Sequence, residues 1–417
     1  MTLSCFDLGE RMLSVTEARQ RLASLVEGPL PAERVALAAL YGRVLAADAI
    51  APIDVPQNTN AAMDGIALAW RPSGEAPDTW RQVGDVLAGQ RRDAPLGAGE
   101  CVRITTGAPL PPGTDTVIMR EQLEEHDASV VVLKPERVRR GQNVRQAGED
   151  IARGHTALAA GTRLGAAELG LLASLGVADA QVYRRPRVAI FSTGDEVTAP
   201  GEALPPAGIF DANRYSLAGL LAEQGVELMD LGILPDDREA MVEALSAAAR
   251  HADMVITSGG VSVGHADFTR AALESVGRLA LWRIAIRPGR PMACGLLGER
   301  GVPFVGLPGN PVAVMVTFLQ FVVPLLATLQ GRAAEAPTPL TAIADDALSS
   351  RPGRTDYLRG CYRVDAEGRL RVRSTGAQGS GILSSMVMAN CLIELTDDRA
   401  GAAPGETVGI HPLYRLP

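Results

Sequence analysis

From Arg187 to Leu329 short, continuously apolar runs alternate with helix-forming stretches, and no other feature narrows the choice of fold as far. Arg187–Phe191, Val226–Ile233, Met254–Thr257, Leu281–Ile286, Pro291–Gly295 and Val302–Gly306 read as strands. Arg214–Gln224, Glu239–Arg250, Thr269–Ser275 and Val312–Leu329 read as helices. A strand apolar at successive positions needs cover on both faces, which a mostly parallel sheet between two helix layers supplies. The flanks have a different texture. Ser14, with Glu17 at the capping-box position, opens a helix over Val15–Val26, and a second helical stretch is expected over Val35–Leu45. Ile66–Trp70, Arg81–Val86, Thr116–Arg120 and Val130–Leu133, separated by Gly, Pro and Asp, predict a small β-rich module. Residues 139–183 hold a turn-rich stretch, then a helix over Ala166–Leu175 ended by Gly176. Pro337-Thr-Pro339 begins a linker, and short alternating strands from there to Pro417 predict a compact β domain.

Charge and cysteine content exclude several function classes. The 417 residues carry 40 cationic and 48 acidic side chains, a net charge of −8, with no basic run of the kind that marks nucleic-acid binding. Lys134 is the single lysine, so an anionic ligand would be held by arginine forks, backbone amides and helix N-termini. Cys5, Cys101, Cys294, Cys361 and Cys391 are widely spaced and form no CxxC pair, which argues against a disulfide framework or a zinc module. The first 21 residues lack the apolar core of a signal peptide. Pro311–Leu329 is interrupted by Gln320 and Pro324 and reads as a buried helix rather than a membrane span. The expectation is a soluble, cytoplasmic protein that binds neither nucleic acid nor membrane.

Ligands of open parallel sheets gather outside the C-terminal strand ends. Three loops at such ends are rich in Gly and polar groups: Ser192-Thr-Gly-Asp-Glu196, Thr257-Ser-Gly-Gly-Val-Ser-Val-Gly264 with His265-Ala-Asp267, and Gly306-Leu-Pro-Gly-Asn-Pro311. Glycine lets amides approach a phosphate, Asn310 suits an N-cap and Pro311 a first helical turn. The attached carboxylates add a reason to expect a divalent cation beside an anionic ligand. Arg287-Pro-Gly-Arg290 offers two guanidinium groups on a turn, either solvated or as a phosphate clamp. Gly260-Val-Ser262-Val-Gly264 matches GxSxG formally, but Thr257-Ser258-Gly259 separates it from its strand, unlike a nucleophile elbow. His265 alone reads as a solvated loop residue, and Asp237 as a cap for the helix that follows. Neither Walker A nor HExxH occurs. Asn58–Gly65, with Asp64, and Arg103–Pro109, with Thr106, are polar strand-to-turn junctions.

Eight segments in one order resemble the molybdopterin molybdenumtransferases, the MoeA family that includes the gephyrin E domain. They are Asn60–Gly65, Arg103–Pro111, Gly148–Ile151, Ser192–Glu196, Ser258–Gly264, Pro288–Pro291, Leu307–Pro311 and Gly379–Ser385. The resemblance implies a multidomain α/β plus β architecture. A helical or mixed domain I would comprise residues 1–57 and 143–183, with an inserted β-rich domain II at 58–142. An α/β molybdopterin-binding domain III would span 184–334 and a barrel-like domain IV 335–417. It also implies the reaction, insertion of molybdate into adenylylated molybdopterin with release of AMP, assisted by Mg²⁺ or Zn²⁺. By the same resemblance Glu196 and Asp267 belong to the metal and reaction centre, with Asp150 and Asp237 as further catalytic candidates. Asp64 and Thr106 would come from the partner subunit of a homodimer whose site lies at the interface. Ser258, Gly259, Gly260, Ser262, Pro308, Asn310 and Pro311 would line the pterin–nucleotide site. Arg287 and Arg290 would bind substrate, and Arg354, Ser380 and Ser384 would serve the molybdate or pterin side. A molybdopterin adenylyltransferase and molybdoenzyme acceptors are the implied partners. Arg287 and Arg290 stand where the family usually has lysine, His265 where it has Glu, and Ile66 where it has Tyr, which puts the site's geometry and metal affinity in question. A non-catalytic carrier or gephyrin-like scaffold is the alternative, and the retained Asp64, Thr106, Glu196 and Asp267 speak against it.

Overall fold

Along the strand Arg187–Thr193 side chains alternate between two cores: Val188 and Ile190 enter one, Ala189 and Phe191 the other. Met254 and Ile256 join the first and Val255 the second, the period of two that a sheet buried on both faces imposes. The computed structural model describes residues 12–70, 79–235, 237–259, 267–333 and 338–413, with 267–270 as backbone only. By internal packing the chain divides into two units, Arg34–Val182 and the remainder.

In the larger unit the central sheet runs in the order Glu227–Leu234, Arg187–Thr193, Met254–Ser258, Val302–Leu307, Pro291–Leu297, Gly277–Arg283. The first four strands are parallel and the last two antiparallel. Helices Ala212–Glu223 and Pro311–Leu329 cover one face, while Arg238–His251 and Asp267–Val276 cover the other. Val15–Ala23 packs on the first face through Val15, Ala18 and Leu22, and Ser14 and Glu17 form the expected reciprocal cap (3.1 and 2.8 Å). Pro311–Leu329 is long and apolar enough to cross a membrane, yet most of it is buried in the protein, as expected of a core helix. Its middle turn, Phe318–Val322, is π-helical and points Gln320 inward to accept from Arg19. Arg19 also approaches Tyr357, whose hydroxyl donates to Glu394 at 2.9 Å, and Glu394 meets His411 at 3.0 Å. This buried chain of polar groups ties the first helix to the C-terminal strands.

Those strands close on themselves. Thr355–Val364, Leu370–Ser374, Leu340–Ala344, Thr407–Pro412 and Cys391–Leu395 pair in turn, and the last returns to the first, a five-stranded barrel around Leu358, Val372, Ile393 and Ile410. Ile286–Arg287 adds in parallel to Thr355–Asp356.

The smaller unit holds a six-stranded sheet, Thr116–Met119, Gly65–Leu68, Glu100–Ile104, Thr79–Val86, Ser129–Val132, Leu123–His126, with apolar residues on both faces. Glu100–Ile104 and Leu123–His126 were not anticipated, because neither shows a long alternating run. Ala166–Ser174 is helical as expected and is followed by Gly176 at φ +72°. The helix expected over Val35–Leu45 does not form. Val35 lies in the strand Ala32–Ala36, and only Leu37–Ala39 makes a 3₁₀ turn. The amides that a helix would use internally donate instead across the unit: Leu37 to Ala178, Gly42 to Leu164, Leu45 to Thr162 and Ala46 to Gln181. Tertiary pairing has overridden local periodicity.

Gly65 leaves no room for a side chain against the neighbouring strand, since a Cβ there would fall 1.8 Å from the Ile118 carbonyl oxygen. Gly65→Ala should therefore destabilise the protein by about 2 kcal/mol or more, read as a lowered midpoint in urea unfolding followed by tryptophan fluorescence.

Candidate functional site

Parallel pairing puts the ends of three strands level. Ser192 pairs with Ser258, and Ser258 with Leu307. The Gly259 amide donates to the Leu307 carbonyl at 3.2 Å, and Gly259 and Gly309 approach so closely that a Cβ on Gly309 would lie 3.8 Å from the Gly259 Cα. Two further bonds hold this end of the sheet. Ser192 Oγ donates to Asp211 at 3.0 Å, and Asn213 Nδ2 donates to the Gly309 carbonyl at 2.7 Å. Asp211 is buried and caps Ala212–Glu223, and it also accepts from Arg214 Nε at 2.9 Å. Desolvation opposes the Arg214 charge, but its bonds to Asp211 and the charge of Asp230 outweigh it and raise the pKa. This end of the molecule thus carries amides and small polar groups on a rigid support.

Asn310 occupies the N-cap of Pro311–Thr317 with Pro311 first in the helix, as expected, but its side chain makes no capping bond. The Val312 amide donates instead to the Ser380 carbonyl at 3.1 Å, joining the helix start to the 377–380 loop. A cavity of about 650 Å³ opens here, lined by Arg287, Arg290, Pro308, Asn310, Gln378 and Ser380. Gly289, at φ +110°, lets the turn between the two arginines lie on the helix, because a Cβ there would meet Thr317 Cγ2 at 2.4 Å. On the other side of the same turn a cavity of about 370 Å³ is lined by Met12, Arg287, Arg290, Arg351 and Arg354.

Beneath both lies Asp356, which accepts from Arg354 Nε at 2.8 Å and from Arg287 Nη1 at 3.3 Å. Arg359, three residues along the strand, was not anticipated. It is 1% exposed and donates to Ser385 Oγ and the Gly379 carbonyl, both at 3.0 Å. No carboxylate pairs with it among the described residues. Burial and then the charge of Arg287 pull its pKa down to about 10. A lone charge in the apolar run Tyr357-Leu-Arg-Gly-Cys-Tyr362 was the available signal.

The remaining candidates fall in several places. Ser384 is exposed on Leu383–Met388, and its neighbour Ser385 is the serine bonded to Arg359. Asp237 serves as an N-cap, accepting from Ala240 N at 2.8 Å. Glu196 is exposed on the loop after Thr193. Gly260, Ser262 and His265 lie outside the described residues, and Asp267 is described only as the first backbone position of its helix. Among the described residues no group of three or more His, Cys, Asp or Glu side chains converges. In the smaller unit Asp150 is exposed, and Asp64 and Thr106 are brought together. The Thr106 amide and hydroxyl donate to Asp64 Oδ1 at 2.7 and 2.8 Å and hold the carboxyl below its ordinary value.

Three family models match in sequence: "MoeA N-terminal region (domain I and II)" over residues 13–176, "Probable molybdopterin binding domain" over 189–328 and "MoeA C-terminal region (domain IV)" over 341–413. A molybdopterin molybdenumtransferase of Haemophilus influenzae is 41% identical over 97% of this chain and 100% of its own. One from Nostoc is 37% identical over 87% and 84%. The crystal structure of the molybdopterin biosynthesis MoeA protein of Pyrococcus horikoshii superposes with a TM-score of 0.82 at 29% identity, covering 97% of this chain and 100% of that one.

Thr106→Val removes the hydroxyl bond and keeps the amide bond, so the Asp64 pKa should rise part of the way to its ordinary value of 3.8. A carboxyl-carbon NMR titration of both proteins checks this, and an unmoved Asp64 curve would deny the hydroxyl its role.

Proposed function

The chain belongs to the MoeA family of molybdopterin molybdenumtransferases, and on that premise we propose that it inserts molybdate into adenylylated molybdopterin and releases AMP in the cytoplasm. The observation that carries this reading is the meeting of two kinds of anion-binding group around one cavity: loop and helix-start groups at Pro308 and Asn310, and guanidinium groups at Arg287 and Arg290. A pyrophosphate asks for amides and helix N-termini, and a tetrahedral dianion asks for forked donors. Ser258, Gly259, Pro308, Asn310 and Pro311 would face the pterin–nucleotide side. Arg287, Arg290 and Ser380, which line that cavity, would receive molybdate, with Arg354 reaching the same turn from the cavity on its other side and Arg359 behind them. As water or a molybdate oxygen bonds to the phosphorus and the pyrophosphate P–O bond breaks, negative charge grows on the departing phosphate, and the arginines offset it.

Mg²⁺, or Zn²⁺ in its place, is the cation the resemblance implies, and Mg²⁺ takes one or two carboxylates and completes its shell with phosphate oxygens and water. Glu196 and Asp267 would hold it, and it would supply charge neutralisation at the pyrophosphate. We assign the completion of the site in a homodimer to Asp64 and Thr106 of the second copy, on the strength of the family resemblance and of the ionised, hydrogen-bonded state in which Thr106 keeps Asp64. A pterin carrier or scaffold would need no such carboxylate.

Purified protein should release AMP from adenylylated molybdopterin only when both molybdate and Mg²⁺ are added, and Glu196→Ala or Asp267→Ala should remove that release. Chromatographic quantification of AMP decides it. Tight binding of the substrate with no AMP formed would return the carrier reading.

A further inference from the structure

Asp356 has no exposed surface, yet it collects two guanidinium groups from different parts of the chain. Arg354 arrives from the turn before the barrel strand and donates to Oδ1 at 2.8 Å and Oδ2 at 3.5 Å. Arg287 arrives from the strand–turn Ile286–Arg290 and donates to Oδ2 at 3.3 Å. Both arginine side chains stay partly exposed, 41% for Arg287 and 30% for Arg354, and both line the 370 Å³ cavity. Arg287 lines the 650 Å³ cavity as well. Asp356 does not itself line either cavity.

The charges around this point do not balance. Arg287, Arg290, Arg354 and Arg359 bring four positive charges, and Asp356 is the carboxylate that meets two of them. Repulsion between Arg287 and the buried Arg359 works to drive the more exposed Arg287 into water, where it would be solvated and free to rotate. The Asp356 carboxylate opposes this and fixes one edge of each fork. The N–H groups that Asp356 does not take are left for a ligand in the cavities these arginines line.

We infer that Asp356 is the positioning residue of the oxyanion pocket, orienting Arg287 and Arg354 for a tetrahedral dianion that it never touches. That the dianion is molybdate rests on the function proposed above. A purely mechanical role is already filled by the backbone: the Thr355 amide donates to the Ala285 carbonyl at 2.9 Å, and Ile286–Arg287 pairs with Thr355–Asp356 as a parallel ladder. The carboxylate is not needed to pin the strand. It also explains how arginine serves at a position where the resemblance expects lysine, because a fork must be aimed while a point charge need not be.

The test uses the full-length protein, with molybdate binding followed by calorimetry and AMP release followed as a function of molybdate concentration. Groups that orient a ligand's direct partners typically contribute about 10- to 100-fold. Asp356→Asn should raise the molybdate Kd and KM by that factor while kcat at saturating molybdate stays within about threefold. In an Arg287→Lys, Arg354→Lys background the same substitution should add less than about threefold, since neither fork remains to aim. Should Asp356→Asn not fold, Asp356→Glu, which keeps the charge and shifts the carboxylate by a methylene, should show the same rise in KM. An unchanged molybdate Kd in a folded variant would overturn the positioning role and leave the transferase reading intact. A fall in kcat that parallels the loss of thermal stability, or full additivity with the double replacement of Arg287 and Arg354 by Lys, would also overturn it in favour of a structural pin. Failure of the unmodified protein to bind molybdate would overturn both readings.

Discussion

The level alignment of Ser192, Ser258 and Leu307 at the ends of three parallel strands is the constraint on which the rest of the site depends. Register along these strands is enforced by burial. A slip of one residue would send Val188 and Ile190 to the face now filled by Ala189 and Phe191 and the reverse, so each set would meet helices packed against the other. Helices cover both faces, so polar loops have only the strand ends at which to emerge. Asp211 and Asn213 then lock those ends through Ser192 and Gly309.

The second layer of organisation is electrostatic. Arginines gather at the turn 287–290 and on the barrel strand, held by one buried carboxylate and by neutral acceptors. A buried guanidinium without its own carboxylate is costly, and such a cost is usually retained where an anion is to be bound. The Arg359 bonds to Ser385 and Gly379 also shape the 377–380 loop, whose Ser380 carbonyl receives the amide at the start of Pro311–Thr317. The barrel and the β–α sheet are therefore joined at the cavity by hydrogen bonds as well as by the apolar packing of Tyr357 and Leu392.

Much of this was legible in the chain. The capping box at Ser14, the apolar runs of the central sheet and the Pro-Gly-Asn-Pro helix start are local signals, and each appears where its residues place it. The expectation that failed, a helix over Val35–Leu45, failed because its amides found partners in residues 162–181, more than a hundred positions away. Helix phase in Leu383–Met388 turns Ser385 inward to Arg359 and leaves its neighbour Ser384 exposed, which a run of two serines does not announce. Asp237 caps its helix, the role that a residue before a helix most often takes.

Sequence by itself determined the elements: which runs are buried on two faces, where helices begin, and which loops are rich enough in glycine and hydroxyl groups to meet an anion. Those properties follow from side-chain polarity and backbone freedom within a few residues. Tertiary structure alone decided which charges meet. Asp356 and Arg287 are 69 positions apart and Thr106 and Asp64 are 42 apart, and no local rule relates them. Coulombic and hydrogen-bond energies depend on separation in space, and only the strand order and register set that separation.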